Sequence, residues 1–295
     1  MRIVLSAIAN ASIGIKIGIK IENLAPIIPK FVTDYNAKFD AAQINVYTAR
    51  MDKVSLLSVP FDPLTNTAVL ARLSDCLAED TNRLVVTPNP ECLMRARRDA
   101  AFLRILQTAD FVLADGIGIL MAAKWLGLPI PERVRGVDTA RALLSIAAKR
   151  NASVYLLGAA PGVAEEARRR INQQWTHKTG RAGPVVVGAQ NGYFESDEAI
   201  IEEIIRLRPD ILIIGMGMPR QEKWAAAHLD ALPCKITLCA GGTIDIFAGR
   251  VKLAPAWMRK IGMEWLYRLC SQPSRAKRML VLPHFLGLVF RERFR

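Results

Sequence analysis

A chain of 295 residues with 40 Lys and Arg against 27 Asp and Glu carries a formal charge of +13, and at 51% hydrophobic it is too apolar to be disordered. Its five cysteines form no CxxC pair and its three histidines no HExxH pattern, so neither a disulfide framework nor a zinc site is expected, and the thiols read as reduced and cytosolic. The positive charge is concentrated at the end: from Arg250 onward there are eleven Lys and Arg against two Glu, which directs attention to phosphate, nucleic acid or an anionic membrane as partner.

Residues 1–50 read as an N-terminal extension. The run 13–21 alternates Ile with Gly or Lys, as a strand with one apolar face would. Lys16 and Lys20 interrupt it, and no clean hydrophobic region with a small-residue cleavage site follows, so neither a signal peptide nor a spanning helix is expected. The extension is read as a poorly ordered appendage, with an extra edge strand as the second choice.

From residue 54 the pattern becomes regular. Residues 54–59 are strand-like, 61–64 a turn, and 66–79 helical in spacing. Next come two short apolar runs, 84–86 and 111–113, with a 3.6-period segment between them. That is a βαβ unit, so both strands should end on the same edge of a sheet. Thr87 and Asn89 leave the tip of the first strand and Asp115 the tip of the second, aimed at the crevice where open α/β sheets bind ligands. A plainer reading makes Thr87 and Asn89 turn residues and Asp115 a helix N-cap.

Further on, 118–126 reads as a helix ended by Gly127, 131–138 as a charged loop and 139–149 as a helix. Strands are expected at 154–157, 185–187 and 236–239 and helices at 163–174 and 197–206, while 209–224 reads as strand, glycine turn and helix start. This alternation predicts an α/β, Rossmann-like, mostly parallel sheet with helices on both faces, occupying 51–253. The turn Gly215-Met216-Gly217 misses the dinucleotide fingerprint because Arg220 stands where a third Gly or Ala belongs, and no P-loop is present. No Asp-x-Asp pair occurs either, so a diphosphate would have to be held by arginine rather than through a metal.

Residues 254–295 read as a basic, amphipathic C-terminal appendage. Trp257, Ile261, Trp265 and Leu269 recur on one side of a helix, and 279–290 is apolar but too short to span a bilayer, which needs about 20 residues. Interfacial tryptophans beside basic residues suit a helix lying on an anionic membrane surface; packing against the core is the alternative. Because the predicted sheet ends before 254, the core is expected to persist without this segment.

Six motifs in order make the chain resemble the WecG/TagA/CpsF glycosyltransferases, family 26, over about residues 54–280. They are Thr87-Pro88-Asn89-Pro90-Glu91, Ala114-Asp115-Gly116-Ile117-Gly118, Arg133-x-x-Gly136-x-Asp138, Gly215-Met216-Gly217-x-Pro219-x-Gln221-Glu222-x-Trp224, Gly241-Gly242-x-x-Asp245, and Glu264-Trp265-Leu266-Tyr267-Arg268 followed by Pro273 and Arg275. The resemblance implies an inverting, metal-independent and cofactor-free transfer of a sugar from a UDP-sugar to a sugar on a polyprenyl diphosphate, in bacterial surface-polymer synthesis. The donor sugar would be N-acetylmannosamine, its uronic acid or glucose. Asp115 would be the general base and Thr87 would help place a sugar. Gln221 and Asp245 would belong to the nucleotide pocket, with Asn89 and Arg133 close by. Arg268, Arg275 and Arg278 would close over the diphosphate. The protein would be cytoplasmic and peripheral on the inner membrane, with no nucleic-acid partner; homo-oligomerisation is left open. The competing readings are an NAD-dependent oxidoreductase, which the Arg220 mismatch disfavours, and a basic nucleic-acid-binding module, for which no zinc-finger or RNP-like pattern exists.

Overall fold

Strand residues of this chain sort by parity. In β5 (Val154–Gly158), Val154 and Leu156 face one hydrophobic cluster, while Tyr155 and Leu157 face another. In β7 (Ile211–Gly215), Ile211 and Ile213 join the first cluster, and Leu212 and Ile214 the second. Side chains of a strand alternate between faces, so two clusters mean two covered faces, and continuous apolar runs are what such strands require.

A computed structural model of the protein describes residues 52–179, 185–260, 262–271 and 281–294, all within one unit, Arg50–Arg295. The extension read over 1–50 lies outside the described residues. Six parallel strands form the sheet, in the order β4-β3-β8-β7-β5-β6, with β3 at Arg83–Val86, β4 at Phe111–Val112, β6 at Val186–Gln190 and β8 at Ile236–Cys239. The chain runs outward from β3 to β4, crosses to β5 and β6, and returns through β7 to set β8 beside β3. All strand tips therefore point to one edge. One face carries α1 (Asn66–Cys76), α5 (Gly136–Lys149), α6 (Val163–Thr179) and α9 (Thr243–Phe247). The other carries α2 (Pro90–Ala96), α3 (Ala100–Thr108), α4 (Ile117–Leu126), α7 (Glu198–Leu207), α8 (Arg220–His228) and α12 (Val281–Arg293).

The structure departs from the sequence reading in four places. The single strand read over 54–59 is a hairpin, β1 (Val54–Leu56) with β2 (Val59–Phe61). Its turn residues Leu57 and Ser58 both have positive φ without the Asn-Gly that usually signals such a turn. The helical segment after β3 is two helices, because Asp99 breaks it and caps the second by accepting from the Phe102 N–H at 3.0 Å. The loop read over 131–138 already contains the first turn of α5. Finally, the amphipathic stretch after Pro255 is α10 (Ala256–Lys260) and α11 (Glu264–Ser271), separated at Gly262, which has φ +77°. A Cβ there would lie 2.9 Å from Ile117 Cγ1, so only glycine fits.

Of the two readings of the C-terminal segment, packing describes α12. Phe285 and Val289 are fully buried against the second cluster, and Leu282 leans over Gly118 of α4. The tail thus has a share in the core, which the reading of a dispensable appendage does not anticipate. Among the described residues of the segment, Trp257 on α10 is exposed, and on α12 Phe290 and Phe294 are exposed, adjoining Arg291 and Arg293 in the chain. No helix among the described residues is long and apolar enough to cross a membrane.

Candidate active site at the strand tips

The tips of β3, β4, β7 and β8 surround a cavity of about 330 Å³, which α4, α5, α8 and the tail complete. Thr87 follows β3. Its Oγ1 donates to the Cys239 carbonyl at 3.1 Å, tying β3 to β8. With its one proton spent, this hydroxyl can only accept from a further group. Gly136 lies against it: a Cβ at that position would be 2.9 Å from Thr87 Oγ1. Glycine is needed there so that the start of α5 can reach the cavity.

Asp115 leaves the tip of β4. Its N–H donates to the Pro88 carbonyl at 3.2 Å, and its Oδ2 accepts from the Gly136 N–H at 3.3 Å. The carboxylate is half-buried and faces the N-terminus of a 14-residue helix, where the aligned peptide dipoles favour negative charge. The plain helix-cap reading does not describe it: Gly116 is the N-cap of α4 and no side chain caps that helix. That reading does describe Asn89, whose Oδ1 accepts from the Cys92 N–H at 3.0 Å and starts α2, although Asn89 also lines the cavity.

Three charged side chains occupy the wall between α5 and the tail. Arg133 donates to the Arg259 carbonyl at 3.2 Å and stands 3.9 Å from Glu264. Arg135 donates to Glu264 at 3.2 Å and also pairs with Asp138. Burial works against the Arg135 charge, but the Asp138 and Glu264 carboxylates outweigh it and hold the guanidinium above its ordinary range. Glu264 thus holds both guanidinium groups on the cavity wall, and Asp138 is a second partner of Arg135.

Gln221 joins the two glycine loops. Its Oε1 accepts from the Gly217 N–H at 3.2 Å and the Gly241 N–H at 3.1 Å. The loops approach closely because Gly215 has no side chain; a Cβ there would lie 2.6 Å from the Gly241 carbonyl oxygen. Arg220, which broke the dinucleotide pattern, lies over the Phe194 ring at 5.1 Å.

The structure therefore gathers Thr87, Asn89, Asp115, Arg133 and Gln221 around one cavity. Asp245 sits just outside it, in the first turn of α9, with Oδ2 3.9 Å from where a Cβ on Gly242 would be. Arg268 falls on α11, but its side chain, like Arg275 and Arg278 entirely, lies outside the described residues. Arg135 and Glu264 are additions. Both stand inside motifs noted above, yet a pairing 129 residues apart in the chain has no local signature. Among the described residues no group of three or more His, Cys, Asp and Glu side chains comes together to hold a metal ion.

A model of the glycosyl transferase WecG/TagA/CpsF family matches residues 54–295. The chain belongs to this family. Among its relatives is the N-acetylglucosaminyldiphosphoundecaprenol N-acetyl-beta-D-mannosaminyltransferase of Staphylococcus aureus (strain MRSA252), 32% identical over 237 residues, which are 79% of this chain and 91% of the relative. A protein of the same name from Bacillus spizizenii is 31% identical over 215 residues, 73% of this chain and 81% of its own length. As a WecG/TagA/CpsF protein the chain is a glycosyltransferase, and the oxidoreductase and nucleic-acid readings fall away.

Proposed function

We propose that this glycosyltransferase moves a sugar of the N-acetylmannosamine class from a UDP-sugar to a sugar on a polyprenyl diphosphate, with inversion and without a metal. The observation that carries the reading is the placement of the Asp115 carboxylate and the Arg133–Arg135 pair on the walls of one cavity. Inversion requires one base opposite one leaving group. Asp115 takes the proton of the attacking acceptor hydroxyl as its oxygen bonds to the anomeric carbon. The bond from that carbon to the diphosphate breaks on the other side, and the departing UDP takes the electron pair. Arginine suits the charge that develops there, because its fork matches phosphate oxygens without a metal. Thr87 Oγ1 accepts from a sugar hydroxyl, and Arg268, Arg275 and Arg278 add positive charge from the tail. The printed names of the relatives favour N-acetylmannosamine over its uronic acid or glucose as donor sugar.

The acceptor is a lipid, so the enzyme must work at a bilayer surface. Exposed Trp257 on α10, and exposed Phe290 and Phe294 adjoining Arg291 and Arg293 on α12, support peripheral binding to an anionic membrane, on its cytoplasmic side where UDP-sugars are made. The test is product analysis with a panel of UDP-sugars and a short-chain lipid diphosphate bearing N-acetylglucosamine. Transfer from UDP-N-acetylmannosamine, lost in Asp115→Asn, is expected. No transfer from any UDP-sugar would refute the proposal.

A further inference from the structure

Glu222 follows Gln221 in the first turn of α8 and is only 4% exposed, yet it lines the cavity. Its two oxygens are unequally placed. Oε1 accepts from Gln221 Nε2 at 2.7 Å. Oε2 is buried and has no hydrogen-bond partner among the described residues. The neighbours offer little compensation. Cys92 of α2 and Cys239 of β8 are buried thiols, pushed up by burial first and then by the Glu222 charge. Burial in turn pushes the Glu222 carboxyl above the ordinary range. A carboxyl kept half-satisfied in the interior costs stability, which Leu or Met in its place would not.

What Glu222 secures is the direction of the Gln221 amide. A carboxamide accepts at one end and donates at the other. The accepting end of Gln221 meets two backbone donors, the N–H groups of Gly217 and Gly241. Turned over, the amide would set its own NH2 against both and lose both bonds. Glu222 Oε1, an acceptor whether or not the other oxygen carries a proton, binds the NH2 end, so that all three bonds form in one orientation only. We propose that Glu222 is a positioning residue for sugar transfer: by orienting the Gln221 amide it holds the Gly217 and Gly241 loops at the separation that shapes the nucleotide pocket. The inference rests on the cavity being the UDP site.

The experiment is a double-mutant cycle on the full chain, read as the UDP dissociation constant by calorimetry, with thermal unfolding as a check of folding. Glu222→Met keeps length and removes the acceptor. It should weaken UDP binding about 10- to 100-fold, the scale of loss when loops of a site shift by about an ångström. Glu222→Gln, whose carbonyl can still accept from Gln221, should restore most of that loss. Gln221→Met should weaken binding as much, and the double variant should be no worse than Gln221→Met alone, because coupled residues are non-additive. Should Glu222→Met fail to fold, Glu222→Asp, which shortens the reach by one methylene, takes its place. Wild-type affinity in the Glu222 variant beside an impaired Gln221→Met overturns the role of Glu222 alone. So do additive losses, or a Glu222→Gln as weak as Glu222→Met. Wild-type affinity in Gln221→Met, or no UDP binding by the wild type, removes the reading of the cavity and this inference together.

Discussion

Replacing Asp115 by Asn separates the chemistry of the site from its architecture. The side chain keeps its size, and its carbonyl oxygen can still accept from the Gly136 N–H that Oδ2 meets at 3.3 Å, so β4 and α5 should stay joined. What disappears is the carboxylate proposed as the base. Positioned general bases typically contribute about 10²–10⁴-fold, equivalent to roughly 3–5 kcal/mol of barrier. UDP affinity should be unchanged or slightly tighter, since one negative charge leaves a cavity proposed to bind an anion. The assay is turnover with UDP-sugar and a soluble acceptor analogue, beside calorimetric titration of UDP and a melting curve. A variant that binds UDP and melts like the wild type, yet keeps more than about a tenth of its rate, would refute the assignment of the base.

Four further outcomes are expected. Phe285→Ala should cost about 3–5 kcal/mol in urea unfolding, a large part of the roughly 5–15 kcal/mol that holds a domain together, because Phe285 is fully buried between α12 and the core; a loss below about 1 kcal/mol would show that α12 does not pack there. Truncation after Ala254 should for the same reason give an aggregating protein and not a soluble core, as size-exclusion chromatography would show. Turnover should survive EDTA, and its restoration by Mg²⁺ or Mn²⁺ after chelation would mean that the diphosphate is not held by arginine. Arg268→Ala should lower turnover on a soluble acceptor by about 10²-fold or more while weakening co-sedimentation with anionic vesicles only slightly, since a single basic residue at such a surface is worth about 1 kcal/mol; weaker vesicle binding with unchanged turnover would make the tail an anchor alone.

The parallel sheet and the residues at its tips were legible in the sequence because they depend on short-range pattern. A short apolar run such as 211–214, bounded by Pro209 and Gly215, suits a strand covered on both faces, and a βαβ unit leaves its turn residues at one edge. Hence local pattern alone brings Thr87, Asn89 and Asp115 together. What the tertiary structure alone decided are the contacts between segments far apart in the chain. Asp115 gains its partner from Gly136, Arg135 gains Glu264 from the tail, and Gln221 gains Gly241 from the next strand. The tail shows the limit most clearly. Its alternation of apolar and basic residues describes equally well a helix on a bilayer and a helix on a protein, since both offer an apolar surface beside water. Only the gap between α2 and α4, into which Phe285 and Val289 fit, determines which face of α12 is buried and which stays exposed.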